Sequence, residues 1–297
     1  MTVREELERL EHRRLNPLAT FADGSTGRPR QEPERVEDVR TCFQRDTDRV
    51  VHSKAFRRLM HKTQVFLRPE GDHYRTRMTH TLEVTRIAKT ITRALGLNED
   101  LAEAIAMGHD LGHTPFGHAG EGALSACLGK PFRHNEQSLR VVDCLEKDGQ
   151  GLNLTNEVRM GILCHTGARL PDTLEGQIIR RSDRIAYVNH DIDDAIRAGI
   201  LREADIPRSV ALTLGENPRD RINTLVCDVI ATSREAGAIA MTPSVELAFT
   251  ELREFMFERV YRNPVAKGEE SKAQGMLQRL FEYYMAHPEA LPEDFQP

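Results

Sequence analysis

Eight of the twelve histidines, His52, His61, His73, His80, His109, His113, His118 and His134, fall within 83 residues, in a segment that also supplies Asp110 and Glu121. Neutral imidazole nitrogens and carboxylate oxygens together make a mixed donor set for a divalent cation. A helix separates neighbours such as His109 and Asp110 by about 100°, so both can reach one ion. The His-Asp dipeptide alone is weak evidence, because it recurs at His190 and Asp191, and an isolated histidine is commonly a surface or satisfied interior residue. Its setting is stronger. HDLGHTPFGHAGE runs from His109 to Glu121, with His80 on the segment before it and Asp183 on a long segment after it, which together offer two His and two Asp. The competing reading is a capping turn carrying surface histidines.

A second local anomaly is charge. Between Arg40 and Arg77 there are ten Lys or Arg against four Asp or Glu, although the whole chain carries a net charge of -5. Arg57, Arg58, Lys62, Arg75 and Arg77 could contact phosphate oxygens, and for each of them a solvated helix face is the alternative. Arg77 stands out because it lies three residues before His80, one helical turn from the candidate metal. Further on, Asp183, Tyr187, Asp191 and Asp194 are spaced four, four and three apart, forming a polar stripe beside Ile178, Ile185 and Ile192 that could line a pocket.

These residues need helices to position them. His80, Val84, Ile87, Ile91 and Leu95 recur at helical spacing up to Gly96, and Asn98 can cap a second helix, LAEAIAMGHD, ended by Gly112. Further helices are expected at 135–147, 156–166, 174–198, 220–236 and 244–262, and a short charged one at 1–15. NPLATFADGSTGRPRQEPE reads as loop. QVFL at 64–67 is the one strand-like run singled out. The expected fold class is all-α, divided into an N-terminal helix and loop (1–37), a core (38–200) and a C-terminal helical region (201–297) packed on it.

Composition narrows the function classes. A chain of 297 residues with 39% hydrophobic and 29% charged residues is that of a globular protein able to bury a full core. No run suits a membrane span, and the densely charged start MTVREELERLEHRRL lacks the apolar stretch of a secretory signal, so a cytoplasmic location is expected. The five cysteines are scattered and never form C-x-x-C, which suggests neither a disulfide framework nor a thiolate zinc site. A mildly acidic balance disfavours a duplex-DNA binder.

The motifs RDTDRVVHSKAFRRLMHKTQVF, YRTRMTHTLEVTRIAK, HDLGHTPFGHAGE, FRHNEQS and RRSDRIAYVNHDIDDA, in that order over roughly residues 38–198, carry a resemblance. The chain resembles the HD-domain phosphohydrolases and, within them, the bacterial deoxyguanosinetriphosphate triphosphohydrolase-like proteins, the dNTP triphosphohydrolases. That resemblance implies a helical HD-domain fold with additional C-terminal helices. It implies His80, His109, Asp110 and Asp183 as ligands of one divalent metal, with Mn or Mg favoured and Fe, Co, Ni or Zn equally compatible with the donor set. It implies substrate contacts from Arg77, Gln64, Tyr187 and Asp191, with Tyr187 against the sugar leaving no room for a 2′-hydroxyl. His118 becomes a general acid or a water-positioning group, with Glu121 three residues on to orient it, and His113 and His134 become phosphate contacts. The implied reaction cleaves a dNTP, dGTP or several, to a deoxynucleoside and inorganic triphosphate, in a homo-oligomer that admits a second dNTP as activator.

Two departures bear on this. Arg184 follows Asp183 where relatives often carry a second acidic residue, which touches substrate choice, and the chain closes on EYYMAHPEALPEDFQP without the further helical segment of many relatives. Two other readings compete: an HD phosphohydrolase acting on another phosphoester, such as a nucleoside monophosphate, and a nucleotide- or single-stranded-DNA-binding module without turnover. An aromatic content of 5% offers the latter few stacking platforms.

Overall fold

The computed structural model describes residues 1–32, 38–62, 75–262 and 264–296, without the side chains of 264–269 and 294. The strand-like run at 64–67, Gln64 and His73 lie outside the described residues. Among those described there are thirteen α-helices and no strand, so the fold is all-α as the periodicity implied. They are α1 (Val3–Arg14), α2 (Cys42–Val51), α3 (Lys54–Arg58), α4 (Arg77–Leu95), α5 (Glu99–Gly108), α6 (Gly117–Leu128), α7 (His134–Arg140), α8 (Asn156–Cys164), α9 (Leu174–Arg197), α10 (Arg208–Leu214), α11 (Pro218–Ala236), α12 (Pro243–Met256) and α13 (Pro264–Ala286). Two single π-helical turns, Val141–Leu145 and Phe257–Tyr261, extend α7 and α12. Pro218 and Pro243 open α11 and α12 at the first helical turn. Proline fits there because its φ is already helical and its missing N–H has no intrahelical partner anyway.

The helix of His80 forms as its spacing predicts, opened by a reciprocal capping box between Thr76 and Thr79 and closed by Gly96 at φ 69°. Its buried face differs from the expected one. His80, Thr81, Val84, Thr85, Ala88, Ile91 and Thr92 point inward, while Ile87 and Leu95 are only partly covered. Of the three interior threonines, Thr85 has its hydroxyl satisfied within the helix, donating to the Thr81 carbonyl at 2.7 Å, whereas the hydroxyls of Thr81 and Thr92 are buried without a hydrogen-bond partner.

The longest helix, α9, is buried on most of its circumference, through Ile178, Ile179, Ile185, Val188, Asn189, Asp191 and Ile192 among others. A helix covered in this way runs through the interior, with α4, α5, α8, α11 and α12 packed around it. Carboxylates placed along it are thereby carried to the centre. Where α5 crosses α8, Gly161 leaves no side chain, and a Cβ there would meet Ile105 Cδ1 at 2.5 Å.

Three buried carboxylates fasten the loop after α1. Glu175 accepts from Thr20 N (3.0 Å), Thr20 Oγ1 (2.9 Å) and Asn98 N (3.0 Å). Glu157 accepts from Thr26 N and Ser25 Oγ, and Asp46 pairs with Arg28 while taking Thr155 N at 2.8 Å. Each buried charge is thus matched by several donors, which offsets its loss of water.

Candidate active site

Three helices converge on one point. His80 comes from the first turn of α4, His109 caps the C-terminus of α5 with Asp110 next to it, and Asp183 comes from the middle of α9. His80 Nε2 lies 3.1 Å from Asp183 Oδ1, and His109 Nε2 lies 3.4 Å from Asp110 Oδ1 and 3.9 Å from Asp183 Oδ1. The four expected ligands are therefore brought together. His109 Nδ1 is 2.6 Å from the Ala106 carbonyl. A carbonyl only accepts, so Nδ1 carries the proton and Nε2 presents a lone pair to the cluster. That Nε2 is buried without a hydrogen-bond partner, as a metal ligand should be before its ion is counted. The set of two imidazoles and two carboxylates fits a divalent cation.

Electrostatics hold the carboxylates ready. Burial opposes the charge of Asp110, but the Arg77 guanidinium and the hydrogen bond with His113 outweigh it and keep the acid well below the usual range. Burial likewise opposes Asp183, and the hydrogen bond with His80 brings it down to about 2. Arg77 is buried and donates from Nη1 to Asp110 Oδ2 at 2.9 Å. Its first partner in this structure is thus a candidate ligand carboxylate.

Above this point opens a pocket of about 640 Å³ lined by His80, Asp110, His113, His118, His134, Asp183, Tyr187 and Asp191. The histidines form a stacked group. His113 and His134 lie face to face, with centroids 3.9 Å apart and planes 12° apart, and His118 stands edge-on to His113 at 5.9 Å. Burial lowers His113 well below its ordinary value, with Arg77 adding to the effect, and burial also lowers His118. The Glu121 carboxylate, expected to orient His118, instead hydrogen-bonds His134, through Nδ1 at 2.6 Å and the backbone N–H at 2.8 Å. The reason is the fold of α7. Its first residue is brought back against α6, so a contact 13 residues away in sequence replaces the one three residues away.

Several residues on the pocket wall escaped the sequence reading. His165 lines it, fully interior behind His134, with its Nε2 3.2 Å from His134 Nε2. Arg253, Phe257 and Tyr261 arrive from α12 and its π-turn, and Arg184 and Glu270 also line the wall. Arg253 Nε donates to the Tyr187 hydroxyl at 3.1 Å, and the Tyr261 hydroxyl donates to Asp191. Burial pushes Asp191 up to about 7 despite that hydrogen bond. The only advance signal was Arg184, as a departure from an acidic residue; its pKa is lowered by burial and by its cationic neighbours Arg180, Arg253 and Arg181.

The other cations singled out in sequence go elsewhere. Arg75 pairs with Asp193 and Asp194 at 2.9 and 2.8 Å, which also takes Asp194 out of the expected stripe. Lys62 donates to the His113 carbonyl at 2.5 Å, and its ammonium is lowered to about 8 by burial and Arg77. Arg57 and Arg58 are exposed, away from the pocket lining.

The HD domain family matches residues 77–188, and the phosphohydrolase-associated domain matches residues 239–297. A deoxyguanosinetriphosphate triphosphohydrolase-like protein of Caldanaerobacter subterraneus subsp. tengcongensis is 54% identical over 295 residues, which is 99% of this chain and 86% of that protein. Like-named proteins of Clostridium tetani and Bordetella pertussis are 48% and 40% identical, over 100% and 95% of this chain and 87% and 89% of their own lengths. Among solved structures, a hypothetical protein from Aquifex aeolicus at 2.0 Å resolution matches with a TM-score of 0.53 at 22% identity, over 80% of this chain and 61% of that one. That last likeness speaks to the fold. No helix among the described residues is long and apolar enough to cross a membrane.

Proposed function

From the premise that the chain belongs to the deoxyguanosinetriphosphate triphosphohydrolase-like family of HD-domain phosphohydrolases, we propose that it hydrolyses dNTPs, dGTP or several of them, to a deoxynucleoside and inorganic triphosphate. The observation that carries this reading is the union of His80, His109, Asp110 and Asp183 at the base of a pocket whose wall holds Tyr187, Asp191, Arg184 and Arg253. Two arginines sharing a wall with lowered proton affinity at Arg184 invite a polyanion, which a triphosphate supplies.

His80, His109, Asp110 and Asp183 would hold the divalent ion, Mn or Mg by preference. Such an ion would supply Lewis-acid polarisation of a phosphoryl oxygen and promote ionisation of the attacking water. Arg77 fixes Asp110 through Oδ2 and stands beside the phosphates. Hydrolysis adds water oxygen to the α-phosphorus, breaks the bond from phosphorus to the 5′-oxygen and needs a proton on that oxygen. His118, exposed to the pocket and edge-on to His113, is the group to deliver it or to hold the attacking water. His113, and His134 steadied by Glu121, face the phosphate oxygens on which charge grows. Tyr187, braced by Arg253, and Asp191 bound by Tyr261 take the sugar, and Gln64 is assigned there by motif alone. A homo-oligomer, a cytoplasmic location and a second dNTP as activator belong to the same proposal.

The test incubates metal-loaded protein with each of the four dNTPs, singly and mixed, and resolves nucleoside, triphosphate and orthophosphate by chromatography. Nucleoside and triphosphate in equal amounts are expected. Orthophosphate as the first product would refute cleavage at the α-phosphorus, and turnover only with mixtures would establish the activator.

A further inference from the structure

We infer that Glu83 and His190 are positioning residues for His80, a carboxylate and imidazole pair that takes up the proton on the outer nitrogen of this candidate ligand. The inference rests on the ligand set of the proposed function. The second His-Asp dipeptide gives Asp191 to the sugar in that reading and leaves His190 without a role. His190 lies on α9 and Glu83 on α4, three residues after His80. The His190 and His80 rings are both buried and stand edge-on, with centroids 6.1 Å apart and planes 89° apart.

An ion taken through His80 Nε2, the nitrogen that faces Asp183, requires the proton of the neutral ring on Nδ1. That N–H then needs an acceptor, and an interior site offers no bulk water to supply one. His109 meets the same requirement through the Ala106 carbonyl, and Asp110 is held through Arg77. Among the described residues His80 Nδ1 is buried and makes no hydrogen bond. Two further buried atoms without one belong to its neighbours, His190 Nδ1 and Glu83 Oε2. These two lie 3.1 Å apart, at hydrogen-bond distance but off the hydrogen-bond line.

Three buried polar atoms left unpaired in one cluster are rare in a folded interior, and one arrangement satisfies all three. His190 donates from Nδ1 to Glu83 Oε2, and its Nε2, left as a lone pair, accepts from His80 Nδ1. With N···N at about 2.9 Å, two imidazoles so joined have centroids roughly 5 to 5.5 Å apart, so a ring movement of about 1 Å closes the link from the observed 6.1 Å. Arg75 tethers the far end. Its Nε lies 3.6 Å from Glu83 Oε2, and its Nη1 is fixed by Asp193 and Asp194. A carboxylate behind a ligand imidazole fixes the ring's orientation and raises its basicity toward the ion, and Glu83 does so here through His190.

The experiment strips full-length protein of metal with dipicolinate, titrates it with Co²⁺ by visible absorption, and records proton NMR of the Co²⁺ form in H₂O and D₂O. The paramagnetic ion shifts the exchangeable N–H signals of His80 and His109 clear of the rest. Glu83→Gln and His190→Ala should each weaken Co²⁺ about 10- to 100-fold and speed solvent exchange of the His80 signal while leaving that of His109 in place. His190→Gln, whose amide can still donate to Glu83 and accept from His80, should regain much of the affinity lost in His190→Ala, and no recovery would overturn the part given to His190. Thermal unfolding of the metal-free variants separates positioning from packing: a lowered metal-free Tm with wild-type Co²⁺ affinity would make the pair structural and overturn the inference. Glu83→Gln changes only a half-buried side chain, so the test stands even if His190→Ala fails to fold. Wild-type affinity and exchange in folded Glu83→Gln would overturn the inference and leave the ligand set standing, whereas no Co²⁺ uptake by the wild type would bring down both.

Discussion

Gly112 sits where the loop bearing His109, Asp110 and His113 touches the backbone of α7. A Cβ built on it would lie 2.1 Å from Ser138 N, 2.4 Å from Gln137 C and 2.6 Å from the His134 carbonyl oxygen. These are backbone atoms that cannot rotate away, and ordinary contact needs about 3.5 Å, so Gly112→Ala must push α7 off the loop by more than about 1 Å. The same shift pulls on Ser138, whose hydroxyl accepts from Gly112 N at 2.8 Å and donates to the His109 carbonyl at 2.7 Å. Overpacking of this kind costs about 1–3 kcal/mol, worth about 2–4 °C in Tm per kcal/mol for a chain of this size class. Because His109 and His134 ride on the two parts forced apart, a displacement near 1 Å should lower turnover about 100-fold. Thermal unfolding and dNTP turnover on the metal-loaded variant check both figures. A Gly112→Ala protein with wild-type Tm and turnover would refute the claim that this close approach sets the site.

His118→Ala should keep its metal content and lose turnover by about 10²- to 10⁴-fold, and unchanged turnover would remove His118 from the chemistry. Asp191 is raised to about 7 by burial, so the native state holds its proton more tightly than the unfolded chain does. Its contribution to stability is full below about pH 4 and falls away as pH rises to about 7, by up to roughly 4 kcal/mol. Urea midpoints of metal-free Asp191→Asn relative to wild type should therefore improve from pH 5 to pH 8, and a pH-independent difference would contradict the assignment. Burial, with Asp46 adding to it, pushes the Cys42 thiol up to about 12, whereas Cys144 and Cys227 are exposed. At pH 8 a disulfide reagent should label the exposed pair at least roughly a hundredfold faster than Cys42, as read by peptide mass spectrometry. Equal rates would show that Cys42 is not shielded.

Local spacing determined much of this protein. The 3.6-residue recurrence from His80 to Leu95 fixes a helix, and His80, His109, Asp110 and Asp183 are legible as candidate ligands because the motifs carry them as residue types. Tertiary structure decided which groups face one another. Glu121 is three residues from His118 yet bonds His134, and Arg75 looks toward the phosphate in sequence yet is spent on Asp193 and Asp194. His165, Arg253 and Tyr261 reach the pocket from α8, α12 and a π-turn whose approach no local pattern encodes. The physical reason is that a helix reads its own period from neighbours three and four residues away. Pairings across 31 residues, as for His134 and His165, or 70, as for Asp191 and Tyr261, exist only once burial has chosen how the helices cross.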